Sequence, residues 1–541
     1  MQIRSDLLKE TVKEEKKLLT MQEASRWASD FLNRKVSKSN IAYLIQYGLF
    51  RKYNNNRSTL VDLNDLKNYY QSYHKERIQN WKKKTGEDLN WALSFDHLRE
   101  KDTTKHVHRL HPYKGKFIPQ LVKYFVDDHI NNFKKNVYFN PGDIILDPFA
   151  GSGTTLVQAN ELAMHSIGID ISQFNCMIAE AKLADYDLVS LKEELDIIKY
   201  VLLSYENDRN IAKFESELGE EMLKFNKLFF PSPDFKFKVR NGEIGEDNYS
   251  KEKEKEFLNI YQKLVKKYGI DLEQSKSDSF LDKWYCKNVR NEIDFVYSLV
   301  KKIKNHKNRK IILVILSRTI RSCRVTTHYD LATLKKPKLT TYYCFKHKKI
   351  CKPIFSIKYW FNRYANDTIR RLWEYKSLKT SSFFSLIPKD SRTVNIFSEI
   401  EEQNKDFYKL LKKQKISGIF TSPPYVGQID YHEQHAYAYD LFRLERKDPL
   451  EIGPLYKGQG KDARESYIKG ISEVLLNCRK YMVRDFNIFL VANDKYNLYP
   501  DIVRKSNMKI ANKFKRPVLN RTERDKSPYS EIVFHIKNGK E

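Results

Sequence analysis

The chain has 541 residues, 98 of them Lys or Arg and 69 Asp or Glu, a formal charge of +29. Length alone predicts about three or four domain-sized units, and the charge favours a polyanionic partner, nucleic acid first and an acidic membrane surface second, against the plainer alternative of a Lys-rich composition colouring every surface. A disulfide framework and a membrane span are both excluded: the six cysteines (176, 286, 323, 344, 351, 478) are scattered as in a reducing cytoplasm, and the most apolar run, Ile311 to Leu316, is far short of the ~20 residues a spanning helix needs.

In chain order, the opening MQIRSDLLKETVKEEKK is charged throughout and has no export-signal pattern, so a cytoplasmic protein is expected. MQEASRWASDFL and SKSNIAYLIQYGLF carry helical spacing around a basic turn, NRKV, and RKYNNNRSTLVDLNDLKNYYQSY adds an Asn-rich turn, a short strand and a helix. This predicts a small helix-turn-helix or winged-helix DNA-binding module over residues 1–85, with a Lys-rich linker from Lys75 to about Gly86; the alternative is a helical cap. Residues 86–190 read as the first half of an α/β core, with helix, strand, Gly-rich turn, helix and strand from about 110. Residues 191–380 read as an irregular, Lys-rich insertion with one clear buried strand, KIILVILS. Residues 381–541 resume the α/β rhythm with KISGIFTSPPY, a helix ISEVLLNCRKYMV, a strand FNIFLVAND and finally SEIVFHIKN.

The strand Asp143-Ile-Ile-Leu runs straight into DPFAGSGTT (Asp147 to Thr155) and then into a helix. Gly151 and Gly153 allow a ligand to approach the backbone closely, and the helix N-terminus beyond favours polar or charged groups. HSIGIDIS is a second strand ending at Asp170, where nucleotide-binding α/β folds place an acid for ribose hydroxyls. Further on, Ile416 to Phe420 delivers Ser422-Pro423-Pro424-Tyr425 at a strand's carboxyl end. The proline pair has no amide donors and leaves carbonyls as acceptors beside the Ser422 hydroxyl, with an aromatic ring next in line. Such groups suit gripping a base amino group, which requires the base to leave the duplex stack.

Together these strings resemble the motifs of S-adenosylmethionine-dependent DNA amino-methyltransferases of bacterial restriction-modification type. VGQIDYHEQHAYAYDLF, SRTIRSCRVTTHYDL, YYCFKHKKIC and LNRTERDKSPYSEIVF extend the resemblance over most of the chain. It implies a Rossmann-like core with an inserted recognition region, S-adenosylmethionine as cofactor, double-stranded DNA as partner, and a cognate restriction endonuclease on a separate chain. Asp147, Pro148, Phe149, Gly151, Gly153 and Asp170 become cofactor-binding residues. Phe117 joins them from HPYKGKFIP, which also matches at His111, Tyr113, Lys116 and Pro119, and Asp390 is matched to the acid on the adenine amino group. Ser422, Pro423, Pro424 and Tyr425 become catalytic; the Ser form is the one associated mainly with N4 of cytosine, adenine N6 being the first alternative and an RNA guanine amino group the second. A DNA-binding regulator with a degenerate core is the non-enzymatic reading. Cytosine C5 chemistry, which needs a thiolate usually found in Pro-Cys, is not expected, because no cysteine here follows a proline.

In the insertion, which falls ahead of Asp390, Arg318, Arg321, Arg324 and His328 mix charge and hydrogen-bonding capacity suited to phosphates and base edges, or else lie on a solvated helix face. Cys344, His347 and Cys351 supply only three local ligands and no C-x-x-C pair, so no metal is expected. Asp430, His432 and His435 are metal-like by type, but methyl transfer needs no metal, and positioning roles are expected of them.

Overall fold

A computed structural model describes residues 17–32, 36–55, 58–95, 97, 98, 100–205, 209–273, 279–331, 334–519 and 528–539. Its strands are β1 (Leu18–Thr20), β2 (Tyr53–Asn55), β3 (Ser58–Asp62), β4 (Ile144–Asp147), β5 (His165–Ile169), β6 (Tyr342–Cys344), β7 (Lys349–Cys351), β8 (Phe384–Ile387), β9 (Ile416–Thr421), β10 (Met482–Ala492), β11 (Met508–Pro517) and β12 (Ser530–Asn538). Seven of them form one sheet in the order β11-β12-β10-β9-β4-β5-β8. β10, β9, β4, β5 and β8 are parallel, and β12 runs antiparallel between β10 and β11.

The central strands are apolar on both faces because both are covered. Ile144, Leu146, Ile167, Ile419, Ile488 and Leu490 pack with Ile471, Val474 and Leu475 of the helix Lys461–Arg479 on one side. Their neighbours Ile145, Phe420, Phe489 and Val491 point the other way, onto Leu121, Val122 and Phe125 of the helix Pro119–Val126. β5 and β8 enclose the insertion between them, and its side chains merge with those of Gln173–Leu183 in one continuous core.

The insertion is mainly helical, not irregular. Its longer helices are Leu188–Ser204, Arg209–Phe229, Glu246–Tyr268, Lys287–Lys301, His306–Ser322 and Lys358–Lys376, and β6 and β7 form a small antiparallel hairpin. KIILVILS, expected as a strand, lies inside the helix His306–Ser322. The physical reason is burial on nearly every side: Ile311, Ile312, Val314, Ile315 and Leu316 are all buried, which erases the 3.6-residue period and leaves an apolar run that reads equally as strand.

At the N-terminus, the helices Met21–Phe31 and Lys38–Gln46 start at capping boxes set by Thr20 with Glu23 and Ser37 with Asn40. They enclose Ala24, Ala28, Ile41, Leu44, Phe50, Val61 and Leu66 together with the sheet β1-β3-β2. Of the NRKV turn only Val36 is among the described residues, and the LNRTERDKSPYSEIVF segment lies outside them from Asn520 to Ser527. The stretch read as a linker is instead the second half of a helix, Leu63–Thr85, which stops at Gly86 (φ 96°). Among the described residues no helix is long and apolar enough to cross a membrane.

Candidate active site

β4 and β9 are neighbours, pairing Ile145 with Gly418 and Leu146 with Ile419. The chain winds outward from β4 to β5 and β8 on one side and from β9 to β10 on the other, so a crevice opens beyond the carboxyl ends of these two strands. The glycine loop leaves β4 and the Ser-Pro-Pro-Tyr turn leaves β9. Thr421 Oγ1 donates to Asp147 Oδ1 (2.6 Å) and joins the two strand ends directly. Thr155 Oγ1 adds a bond to Phe420 O (3.1 Å). Burial pushes the Asp147 carboxyl up to about 6, against the hydrogen bonds from Thr421, Thr155 and Phe149 N that favour its charge.

The loop is closed by the second strand. Gly151 N donates to Asp170 Oδ2 (2.8 Å), while Asp170 Oδ1 accepts from Ser172 N (2.8 Å) and Asn175 Nδ2 (3.2 Å). Each carboxylate oxygen retains acceptor capacity toward the crevice, and burial raises the Asp170 carboxyl above its ordinary range. The glycines are required by protein neighbours as well as by any ligand. A Cβ on Gly153 (φ 73°) would lie 2.7 Å from Ala179 Cβ, and one on Gly151 (φ 48°) would lie 3.0 Å from the Tyr113 hydroxyl.

One pocket brings together Phe117, Asp147, Pro148, Phe149, Gly151, Asp170, Asp390, Ser422 and Pro424. Gly153, Pro423 and Tyr425 are not among its lining residues. Gly153 instead starts the helix Thr154–Glu161. The Tyr425 hydroxyl donates to Glu531 Oε1 (3.0 Å) on β12, and burial next to that carboxylate raises the phenol well above its ordinary range. Of the two proline carbonyls, Pro424 O accepts from the Tyr467 hydroxyl (2.8 Å), itself bonded to that of Tyr499 (2.7 Å). Asp390 is held by Arg392, whose Nη2 and Nε reach it at 2.6 and 3.0 Å.

Three buried polar atoms on the pocket wall have no protein partner: Ser152 Oγ, Asn175 Oδ1 and His432 Nε2. Buried groups of this kind normally find a partner, so the wall suits a polar ligand such as a nucleoside bearing an amino acid. His432 Nδ1 is bonded to Glu451 Oε1, which also accepts from the His432 amide (2.9 Å), and Tyr113 stacks against Tyr431 and His435. Lys116 Nζ donates to His108 O (2.7 Å), and burial lowers the amine to about 8. Sequence reasoning missed Ser152, Asn175 and Glu451. Asn175, in the first turn of the helix after Asp170, could have been found from its place; Glu451 sits in a run, DPLEIG, that carries no signal.

The four insertion residues expected at DNA are not together at one surface. Arg318 is buried and donates to Asp367 Oδ2 (2.9 Å), with its guanidinium over the Tyr364 ring. Arg324 is buried and donates to the carbonyls of Arg321 and Leu331 (both 2.9 Å). Arg321 is half-buried, and its charge adds to burial in depressing His435, whose ring stacks on Tyr113. His328 lies apart, against Cys344 and Tyr342.

A glycine loop and a Ser-Pro-Pro-Tyr turn on adjacent strands of this sheet define a methyltransferase site, and a family model described as DNA methylase matches residues 7–181. A Type II methyltransferase from Methanocaldococcus jannaschii, M.MjaII, is 47% identical over 526 residues, 96% of this chain and 97% of its own length. The chain therefore belongs to the Type II DNA methyltransferases of restriction-modification systems. Shorter matches are to M.MvaI of Kocuria varians (30% identity, 21% of this chain and 23% of the relative) and to the orphan methyltransferase M.BamHII of Bacillus amyloliquefaciens (31%, 24% and 46%). Membership implies S-adenosylmethionine as the methyl donor.

Proposed function

We propose that the protein methylates the exocyclic N4 amino group of cytosine within a specific sequence of duplex DNA, in the cytoplasm, with any cognate endonuclease on a separate chain. The observation that carries this reading is the Ser-Pro-Pro-Tyr turn at the end of β9, tied to the glycine loop through Thr421 and Asp147. When bound, S-adenosylmethionine supplies an electrophilic methyl group on a sulfonium.

Asp170 takes the ribose hydroxyls, Asp390 the adenine amino group, and Phe117, Asp147, Pro148, Phe149, Gly151 and Gly153 shape the methionine end. The amino nitrogen of cytosine is a poor nucleophile because its lone pair is conjugated into the ring. Ser422 Oγ and the Pro423 carbonyl accept its two N–H bonds, which draws the lone pair out of conjugation and aims it at the methyl. Pro424 supports this grip through its bond from Tyr467. Tyr425 stacks on the extruded base. Residues 1–85 bind DNA as a helix-turn-helix module, and the insertion reads the target, with Arg321, Arg324, Arg318 and His328 on the segment that does so; Arg321 has its head group least committed to protein acceptors.

The test is to incubate the protein with methyl-labelled S-adenosylmethionine and unmethylated duplex DNA and digest the product to nucleosides. Label in N4-methylcytosine is expected. Label in N6-methyladenine would keep the mechanism and overturn the base, and label in RNA alone would overturn the substrate.

A further inference from the structure

The insertion holds a second cluster of chemically capable side chains, remote in sequence from the methyl-transfer motifs. We propose that His328, Cys344, His347 and Cys351 bind one zinc ion, which pins the β6–β7 hairpin to the segment that follows the helix His306–Ser322. The fold completes a set that sequence spacing leaves at three, by bringing in His328 from sixteen residues before Cys344.

The four ligand atoms, one from each residue, all lie within 4.8 Å of one another. A tetrahedral zinc with bonds of about 2.3 Å to sulfur and 2.0–2.1 Å to nitrogen has S···N edges of about 3.6 Å. Cys344 Sγ is 3.7 Å from His328 Nδ1, and Cys351 Sγ is 3.6 Å from His347 Nδ1. The two imidazoles meet edge to face, 4.4 Å between centroids and 60° between planes. The turn builds this arrangement: Cys344 O accepts from both His347 N (3.0 Å) and Lys348 N (2.6 Å), and Lys348 adopts φ 55°, which folds His347 back over Cys344. Tyr342 Oη accepts from His328 N (3.2 Å), which fixes the backbone of His328 beside the hairpin; its 2.8 Å contact with His328 Nδ1 is one that a zinc ion on that nitrogen would replace.

Packing explains why a metal is useful here. Cys344 and Cys351 are buried, 2% and 6% exposed, yet with Tyr342 they form a cluster of only three side chains separate from the main core. Tyr343 and Ile350, on the opposite face of the hairpin, pack into the main core, so the metal would secure the face that the core leaves with three side chains. A structural zinc contributes folding free energy directly, and two thiolates with two imidazoles in a closed tetrahedron select zinc over harder cations.

The full chain, purified under reducing conditions without chelator, should contain one zinc per molecule by elemental mass spectrometry. Replacing the ion with Co(II) should give tetrahedral d–d bands with thiolate charge transfer. The double substitution Cys344→Ser with Cys351→Ser should lose the ion while S-adenosylmethionine still binds. His328→Cys should keep it, with charge-transfer intensity up by roughly half as thiolates go from two to three. Reduced, folded wild-type protein that neither contains zinc nor takes up zinc or cobalt would overturn the proposal. So would a Cys344–Cys351 disulfide, read as an intact mass lower by two hydrogens, or full retention of zinc by the double serine variant.

Discussion

The crevice of the sheet core and the arginine–carboxylate network of the helical insertion both bury polar groups, but they complete them differently. At the crevice, Ser152 Oγ, Asn175 Oδ1 and His432 Nε2 are buried without protein partners. In the insertion, Asp367 takes Arg318, Arg371 and Arg370 together (2.9, 2.9 and 2.7 Å), which holds its carboxyl well below the usual range. Glu292 there accepts from Ile357 N (2.7 Å) and Ser356 Oγ (3.0 Å). Polar groups that close on one another build architecture; polar groups left open around a pocket await a ligand.

The largest effect that would break this contrast is at Ser422. Ser422→Ala removes one of the two acceptors assigned to the base amino group, and a loss of about 10²–10³ in the single-turnover methylation rate is expected, with S-adenosylmethionine affinity retained. An unchanged rate would remove Ser422 from the chemistry. Asp367→Ala should act on stability instead, by on the order of 3 kcal/mol, because two buried guanidinium groups lose their carboxylate; thermal or denaturant unfolding reads it, and a shift near zero would mean the insertion does not depend on that network.

Acid should move the two regions in opposite directions. Burial lowers His435 to about 3 and His535 to about 4. Both titrate near 6.5 when unfolded, so the stability they contribute is complete above about pH 6.5 and falls by about 1.4 kcal/mol per group per pH unit below it. Glu292 is pushed up to about 7 by burial. Its contribution is complete below its unfolded value near 4.5 and is lost as pH rises through 7. Hydrogen exchange, corrected for intrinsic rate, should therefore show core peptides losing protection from pH 7 to pH 5 while peptides around Glu292 gain it; parallel loss in both would contradict the assignment. The smallest effect, and the sharpest, is at Ser152. Ser152→Ala should leave the melting temperature unmoved, since the hydroxyl has no protein partner, and weaken S-adenosylmethionine binding by roughly 3–10-fold.

The core was legible because its strands and its chemistry share the same residues. DIILD running into glycines, and ISGIFT running into two prolines, announce strand ends and functional loops at once, and both stand at the carboxyl ends of β4 and β9. The insertion offered no such coincidence. KIILVILS lost its helical period through all-round burial; within the core the exception is β11, an edge strand carrying Lys509, Lys513 and Lys515, which lost its apolar period through exposure. Asp170, expected at a ribose, holds the Gly151 amide in the fold, a contact across nineteen residues that the sequence does not announce. The ligand set of His328 and Glu451's hold on His432 are likewise products of tertiary folding that no local spacing encodes.

The bond between Thr421 and Asp147 joins residues 274 positions apart in the chain. The glycine loop and the Ser-Pro-Pro-Tyr turn meet because β4 and β9 lie side by side, and nothing in that adjacency specifies which is synthesised first. A circular permutation that opened the chain within the insertion would reverse the order of the two motifs, and the crevice should persist if the two strands still pair. The order of the two motifs along the chain is thus a separate matter from their adjacency in the sheet.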